Sequence, residues 1–108
     1  MINTLSIIIP VFNEENTVLK LLDMVKSVNL IYNIKKEFVI VDDCSTDSSL
    51  QKLNSFKTDN RDIKTILINH DRNKGKGAAI KSALQHATGE YCIIQDADCE
   101  LNPEDINK

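Results

Sequence analysis

Apolar residues alternate between two spacings along the chain, and this alternation predicts strands and helices in turn. Short apolar runs rich in β-branched residues, which are typical of buried strands, occupy Leu5–Pro10, Phe38–Val41, Thr65–Ile68 and Tyr91–Ile94. Between these runs, apolar residues recur at the three- and four-residue spacing of amphipathic helices. The helical positions are Val18, Leu21, Leu22, Val25 and Val28, then Leu50, Leu53 and Phe56, then Ile80, Ala83, Leu84 and Ala87. The predicted element order is therefore βαβαβαβ.

Strands that are apolar throughout belong in a sheet covered on both faces. The pattern therefore predicts an α/β fold with a mostly parallel sheet and helices on both sides. No repeat, linker or low-complexity segment divides the 108 residues, so we expect a single domain. Near the end of the chain, Asn102-Pro103-Glu104-Asp105 predicts the start of another helix, with proline in its first turn. We therefore expect residues 1–108 to be one domain truncated at its C-terminal end.

Two helix boundaries carry local signals. The polar residues Ser45, Thr46 and Asp47 are N-cap candidates for the second helix. The third helix is predicted over Ala78–Ala87, and Gly89 is placed to end it in the left-handed conformation.

Charge and cysteine content narrow the range of functions. Thirteen Lys and Arg residues against sixteen Asp and Glu residues give a net charge of −3, which argues against a general nucleic-acid partner. The three cysteines follow no C-x-x-C spacing, which favours a reducing compartment over a disulfide framework. No apolar stretch approaches the roughly 20 residues of a membrane span, and no signal-peptide pattern is present. We therefore expect a cytoplasmic location.

Polar clusters follow three of the predicted strands. They are Pro10-Val11-Phe12-Asn13-Glu14 after the first, Asp42-Asp43-Cys44-Ser45 after the second, and Asp96-Ala97-Asp98 after the fourth. Because the carboxyl ends of parallel strands meet at one edge of the sheet, where ligands bind in open α/β folds, these clusters are expected to converge. The convergence predicts a ligand site.

Each acidic cluster also has a structural explanation. Asp42 and Asp43 could cap the following helix, although two adjacent acids at the end of a buried strand need donors or a cation nearby. Asp96-x-Asp98 could be a polar turn, but alternating carboxylates can also converge on Mg²⁺ or Mn²⁺, with Glu100 within reach. We favour the binding site in both cases.

The segment Asn73-Lys74-Gly75-Lys76-Gly77 allows two interpretations. Its glycines and lysines before a helix could hold a phosphate, although no established phosphate-loop motif is present. It could equally be a tight turn into a closely packed helix. His70 and His86 lack the spacing of a metal site and are expected to be structural or solvated.

Four segments resemble a known family in order and spacing. SIIIPVFNEE, VIVDDCSTD, NKGKGAAIKSAL and GEYCIIQDADCELNPED are similar to the N-terminal, donor-binding half of family 2 glycosyltransferases with the GT-A fold. The branch that they resemble most includes dolichol-phosphate mannosyltransferases and polyprenyl-phosphate glycosyltransferases. The resemblance covers nearly the whole chain and implies a Rossmann-like nucleotide-diphospho-sugar transferase fold.

The resemblance assigns roles to particular positions. It implies a nucleotide-sugar pocket formed by Pro10, Phe12, Glu14, Val41, Asp43, Asp96, Ala97 and Asp98. It implies Mg²⁺ or Mn²⁺ on Asp96 and Asp98, and a glutamate at position 100 could add a third ligand. Cys44 stands where the family usually has glycine, a substitution that is costly if the backbone there requires positive φ.

The function expected from this resemblance is metal-dependent transfer of a sugar from a UDP- or GDP-sugar to an acceptor. The resemblance does not fix the acceptor; a polyprenyl phosphate or a glycan of the cell envelope is compatible with it, as is attachment to the cytoplasmic face of a membrane through a missing C-terminal region. The catalytic base is expected outside this chain. Alternatives are a sugar nucleotidyltransferase, a donor-binding fragment without turnover, and a phosphoacceptor signalling domain.

Overall fold

The computed structural model describes residues 4–28 and 34–96. Within them the elements are β1 (Thr4–Val11), α1 (Val18–Ser27), β2 (Lys35–Asp42), α2 (Ser49–Asp59), β3 (Lys64–Asn69), α3 (Lys76–His86) and β4 (Tyr91–Ile94). The predicted order βαβαβαβ is confirmed. The predicted helix near Pro103 falls outside the described residues.

The strands form one parallel sheet in the order β3-β2-β1-β4. In its register, Ile7 of β1 lies opposite Phe38 of β2 on one side and Ile93 of β4 on the other. The return from β3 across the sheet to β4 places the carboxyl ends of β1 and β4 side by side. The polar clusters that follow these two strands therefore begin at neighbouring positions.

Helices cover both faces of the sheet, as predicted. Ile7, Ile9, Phe38 and Ile40 project from one face and pack against α1 and α2. On this side the rings of Phe38 and Phe56 stack with their centroids 5.7 Å apart. On the other face the sheet contributes Ile8, Val39 and Val41, which pack against Ala79 and Ala83 of α3. The small alanines let α3 lie close to the sheet.

The predicted N-cap of the second helix is wrong in position. α2 begins at Ser49 after Ser48, and no side chain caps it from that residue. Ser45 instead donates its hydroxyl to Asp42, and Thr46 donates its amide to Asn13. Ser45 and Thr46 thus hold neighbouring loops together, whereas Asp47 accepts from the Ser49 amide at 2.9 Å at the start of α2.

The sequence predicted that Gly89 ends α3 in a left-handed conformation, and this prediction is wrong. The helix spans Lys76–His86 and its C-cap residue, Ala87, is extended at φ −67° and ψ 138°. Gly89 is required for a different reason. A Cβ atom there would lie 2.6 Å from the Ser6 hydroxyl oxygen and 2.8 Å from the Thr4 carbonyl oxygen, so glycine permits close approach to β1.

A buried acid holds this end of the sheet, opposite the carboxyl ends of the strands. Glu37 of β2 is fully buried and accepts hydrogen bonds from the Ser6 hydroxyl at 2.8 Å and the Thr88 amide at 2.8 Å. The Thr88 hydroxyl also donates to it, and Lys64 Nζ lies 3.0 Å from its second oxygen. This network joins β1, β2, β3 and the loop between α3 and β4.

None of the helices in the described ranges is both long enough and apolar enough to cross a membrane.

Candidate functional site

A pocket of about 360 Å³ opens at the carboxyl edge of the sheet. It is lined by Pro10, Val11, Phe12, Glu14, Asp43, Asn73, Gly75, Lys76, Ala79 and Asp96. Five of the residues predicted for the nucleotide-sugar site thus surround one cavity, although they are separated in sequence by up to 86 positions. The expected convergence of the strand ends at β1, β2 and β4 is observed.

Asp43 is the most highly constrained acid of the pocket. It is only 4% exposed, and its Oδ1 accepts from the Lys74 amide at 2.9 Å and lies 2.8 Å from His70 Nδ1. Its Oδ2 accepts from the Gly75 amide at 2.8 Å. Burial raises the pKa of Asp43, but the bonds from Lys74, His70 and Gly75 outweigh burial and lower it overall. Asp43 is therefore held as a carboxylate.

These contacts settle what the two adjacent acids do locally. Asp42 accepts from the Ser45 hydroxyl at 2.5 Å and the Ser45 amide at 3.2 Å, within its own loop. Asp43 instead binds the backbone that leads into α3. The adjacent charges are stabilised by separate sets of donors. The sequence allowed these acids to cap the helix that follows them, α2. Asp43 instead accepts hydrogen bonds from the backbone just before α3.

The same contacts change the interpretation of the glycine- and lysine-containing loop. The amides of Lys74 and Gly75 already donate to Asp43, so they are not available to a phosphate in this state. Gly75 has φ +94°, a conformation that favours glycine, and it precedes the first residue of α3. The loop is thus a tight turn into α3. Asn73, Gly75 and Lys76 nevertheless line the pocket.

The loops after β1 and β2 are linked by side-chain to backbone hydrogen bonds. Asn13 Oδ1 accepts from the Thr46 amide at 2.7 Å, and the Asn13 amide donates to the Ser45 hydroxyl at 2.9 Å. The Glu14 amide donates to the Ser49 hydroxyl at 2.8 Å. Asn13 adopts φ +53°, which asparagine tolerates well. These bonds fix the backbone next to Phe12, whose side chain is 43% exposed beside the pocket.

Cys44 carries backbone strain next to the site. It adopts φ +61°, a region in which a side chain with a Cβ is unfavourable, and the family pattern has glycine at this position. Its thiol makes a weak contact of 3.7 Å with the Asp71 carbonyl oxygen. The cost predicted from the sequence for a cysteine here is therefore present.

Substituting Cys44→Gly should relieve this strain, whereas Cys44→Val should increase it. Relief of the left-handed conformation outweighs the entropy cost of glycine, so we expect Gly to raise the free energy of unfolding by about 0.5–1 kcal/mol. A β-branched residue should lower it by about 1–2 kcal/mol. Urea denaturation measures both effects. Cys92→Val, on the exposed surface of β4, is the control and should change little. A destabilising Cys44→Gly would contradict this account.

Asp96 is the only member of the predicted metal site that lies in the described residues. It follows β4, lines the pocket, and forms an ion pair with Lys76 at the start of α3. Its carboxylate is a hard oxygen ligand that already holds a cationic group, so the residue fits a divalent cation. Asp98, Glu100 and the predicted nucleotide contact Ala97 lie outside the described residues. Within the described parts of the chain, no group of three or more His, Cys, Asp or Glu side chains could hold a metal.

Val41 differs from the other predicted pocket residues. Its side chain is fully buried and packs with Val39 against Ala79 and Ala83 of α3. It is not one of the residues that line the cavity. The Val41 side chain therefore supports the strand that presents Asp43.

His70 and Ser82 support the site, and the sequence did not assign them to it. His70 is 6% exposed, and its Nε2 lies 2.8 Å from the Ser82 hydroxyl oxygen of α3. The order Asp43–His70–Ser82 resembles a nucleophilic triad, but Ser82 does not line the pocket, so the arrangement orients Asp43. A signal existed in the sequence, because His70 directly follows the third strand and shares its carboxyl end.

The family of the chain follows from its sequence match. The family model described as "Glycosyl transferase family 2" matches residues 6–108, which is nearly the whole chain. The chain belongs to glycosyltransferase family 2. Asp43 and Asp96 thus lie at the carboxyl edge of a family 2 sheet.

Solved structures support the same family and the GT-A-like fold. A mannosyltransferase from Pyrobaculum calidifontis, in complex with GDP-Man and Mn²⁺, is 32% identical with a TM-score of 0.80 over 87% of this chain. S. aureus TarS 1-349, in complex with UDP-GlcNAc, is 29% identical with a TM-score of 0.80 over 95% of this chain. Glucosyl-3-phosphoglycerate synthase from Mycobacterium tuberculosis, at 20% identity and a TM-score of 0.67, shares the fold.

This family 2 chain is similar to part of each neighbour. It spans 27% of the length of the mannosyltransferase and 29% of that of TarS 1-349.

Proposed function

We propose that this chain is the donor-binding part of a metal-dependent glycosyltransferase. The observation that carries the proposal is the convergence of Phe12, Glu14, Asp43 and Asp96 on one pocket in a family 2 domain. The ligands of the neighbours, GDP-Man with Mn²⁺ in one and UDP-GlcNAc in another, support a nucleotide-diphospho-sugar as the occupant. Membership of this family favours a glycosyltransferase over the two alternatives of a sugar nucleotidyltransferase and a phosphoacceptor signalling domain.

The geometry of the pocket suggests how the nucleotide would be held. The exposed ring of Phe12 offers an apolar surface against which a planar base can stack. The Oδ2 atom of Asp43 accepts one hydrogen bond from Gly75 and retains capacity for a further donor, such as a base N–H or a ribose hydroxyl. Since Asp43 is fixed by His70 and by the loop before α3, this acceptor is positioned before the ligand arrives.

The metal would be held by the acid that follows β4. Asp96 would hold it, together with Asp98 and Glu100 predicted from the sequence. A bound Mg²⁺ or Mn²⁺ stabilises the negative charge that develops on a departing diphosphate. The chain supplies the carboxylate that anchors the ion and, at the start of α3, the positive end of a helix dipole beside the pocket.

The acceptor and the branch of the family are part of the same proposal. The four sequence motifs favour a mannosyltransferase-like enzyme that acts on a polyprenyl phosphate or an envelope glycan at the cytoplasmic face of a membrane. The motifs assign no catalytic base to any residue of this chain. A chain that binds donor without turnover is the outcome expected if this part is assayed alone.

Donor binding that depends on both metal and Asp98 is the expected result. UDP- and GDP-sugars are titrated calorimetrically into the wild type and Asp98→Ala, with and without Mn²⁺. We expect Mn²⁺ to strengthen binding of the preferred donor by about 10-fold or more, and Asp98→Ala to abolish that gain.

The matched control is Asp59→Ala, which removes an exposed acid at the end of α2. It should bind donor and Mn²⁺ like the wild type. Donor binding that ignores both Mn²⁺ and Asp98→Ala would refute the metal site, and no binding of either nucleotide would refute the proposed function.

A further inference from the structure

We propose that Lys76 is an exchangeable counter-ion that couples metal binding to donor binding. Without ligand its ammonium group neutralises Asp96, and in the loaded pocket it turns to the donor diphosphate. This inference rests on the proposed function and adds a positioning residue to it. The sequence left open whether the loop that contains Lys76 holds a phosphate, and it gave no link between Lys76 and the predicted metal ligand Asp96.

The first observation is the ion pair itself. Lys76 and Asp96 come from α3 and from the end of β4, and both line the pocket. The Lys76 side chain is 58% exposed and that of Asp96 is 35% exposed, so both remain accessible to solvent and ligand. A divalent cation that binds Asp96 competes with the ammonium group for this carboxylate. Lys76 opposes metal binding in the empty pocket.

The second observation is the position of Lys76 on its helix. It is the first residue of α3, where a cation is unfavourable because the helix dipole is already positive there. The first turn of α3 contains no acidic residue, and its N-cap residue, Gly75, has no side chain that could accept a hydrogen bond from the helix. The amides of Lys74 and Gly75 just before α3 are occupied by Asp43, so the Lys76 ammonium group is the positive group that this end of α3 offers beside Asp96. An anion that enters the pocket meets this ammonium group.

The third observation concerns where Lys76 can go once it is displaced. A nucleotide diphosphate would bring its negative charge into the same cavity as the metal, because Mg²⁺ in proteins is commonly held by one or two carboxylates together with substrate phosphates. The ammonium group is tethered to a helix that Asp43 fixes through Lys74 and Gly75, so it stays within the pocket. It can then exchange a carboxylate for a phosphate oxygen with little loss of charge pairing.

The consequence is positive coupling between the two ligands. The metal alone competes with Lys76 for Asp96, but in the presence of a diphosphate the displaced lysine has a new partner. By linkage, the diphosphate then strengthens metal binding by the same factor by which the metal strengthens diphosphate binding.

Lys76→Met is expected to move the two affinities in opposite directions. The Kd of Mn²⁺ alone, followed by electron paramagnetic resonance of the free ion, should fall by about 3- to 5-fold because the competing cation is gone. The Kd of UDP or GDP at saturating Mn²⁺, measured calorimetrically, should rise by about 10-fold because a charged donor to the diphosphate is lost. Lys76→Arg should preserve most of the nucleotide affinity.

Lys81→Met is the matched control, since it removes the same charge from an exposed position of the same helix. It should leave both constants within about 2-fold of the wild type, the range of a screened surface charge. If Lys76→Met weakened the binding of both Mn²⁺ and the nucleotide, or changed neither Kd, the inference would be overturned. Binding by the wild type would still support the proposed function in that case. A wild type that binds neither Mn²⁺ nor UDP or GDP would overturn both.

Discussion

Glu37→Ala is expected to lower the free energy of unfolding by about 3–5 kcal/mol, which is a large share of the stability of a small domain. The Glu37 carboxylate is fully buried and receives hydrogen bonds from Ser6 and Thr88 and an ion pair from Lys64. Alanine would leave these donors without their acceptor in the space between the sheet and the end of α3. Urea denaturation measures the loss.

The same residue makes stability depend on pH. Burial raises the pKa of Glu37, but hydrogen bonds from Thr88, Lys64 and Ser6 outweigh burial and lower it from 4.5 to about 2. Because the pKa in the folded state lies below that in the unfolded state, the stabilisation is complete above about pH 4.5. It is lost as the pH falls towards 2, and the difference corresponds to about 3 kcal/mol.

The pH effect is measured by comparing the wild type with Glu37→Gln between about pH 7 and pH 2. The wild type should lose about 3 kcal/mol more than the variant on acidification. Asp43, Asp47 and Glu15, whose pKa values are also lowered, are present in both proteins and cancel in the difference.

Asp62→Asn is the control for Glu37→Gln, because Asp62 is an exposed acid at the same end of the sheet. It should retain the acid sensitivity of the wild type. Equal acid sensitivity of Glu37→Gln and the wild type would show that the Glu37 network does not stabilise the fold.

Asp43→Ala is expected to damage the pocket more than any other single change among its described residues. It removes the acceptor for the amides of Lys74 and Gly75 and the partner of His70, so the turn into α3 loses its anchor. We expect a loss of about 2–4 kcal/mol in the free energy of unfolding. We also expect nucleotide affinity to fall by about 30-fold or more, because a positioned acceptor and a wall of the pocket are lost together.

Hydrogen exchange distinguishes this account from a general loss of stability. In Asp43→Ala the amides of Lys74 and Gly75 should lose protection, while amides in the middle of β1 and β2 should retain theirs. Asp71→Asn, in the exposed segment after β3, is the control and should leave both protection and binding unchanged. Full protection of Lys74 and Gly75 in Asp43→Ala would contradict the anchoring role.

Much of the fold could be predicted because the spacing of apolar residues along the chain indicates which face of each strand or helix is buried. Strands β1 to β4 and helices α1 to α3 were expected in the right order, and β4 was predicted at its observed bounds. The errors were at helix ends. Ser45 and Thr46 are residue types that often cap helices, but they bind Asp42 and Asn13 instead. Gly89 is a residue type that often ends a helix, but it lies against Ser6 of β1.

The candidate site could be predicted in part for a related reason. Strand-end acids are visible in sequence, so Asp43 and Asp96 were found together with Phe12 and Glu14. His70 was not assigned, because a single histidine has no periodicity or motif to distinguish it, and Lys76 was considered only as one lysine of a possible phosphate-holding segment. Their importance comes from partners 27 and 20 positions away, Asp43 and Asp96 respectively.

The sequence by itself determined the parallel α/β architecture, the family and the edge of the sheet at which a ligand should bind. These depend on local periodicity and on ordered motifs, which a linear pattern carries. The tertiary structure alone decided that Asp43 anchors the turn into α3, that Glu37 fixes the opposite end, and that Lys76 neutralises Asp96. Each of these depends on which donor or cation approaches a carboxylate in space, and that is set only when the strands are placed in the order β3-β2-β1-β4.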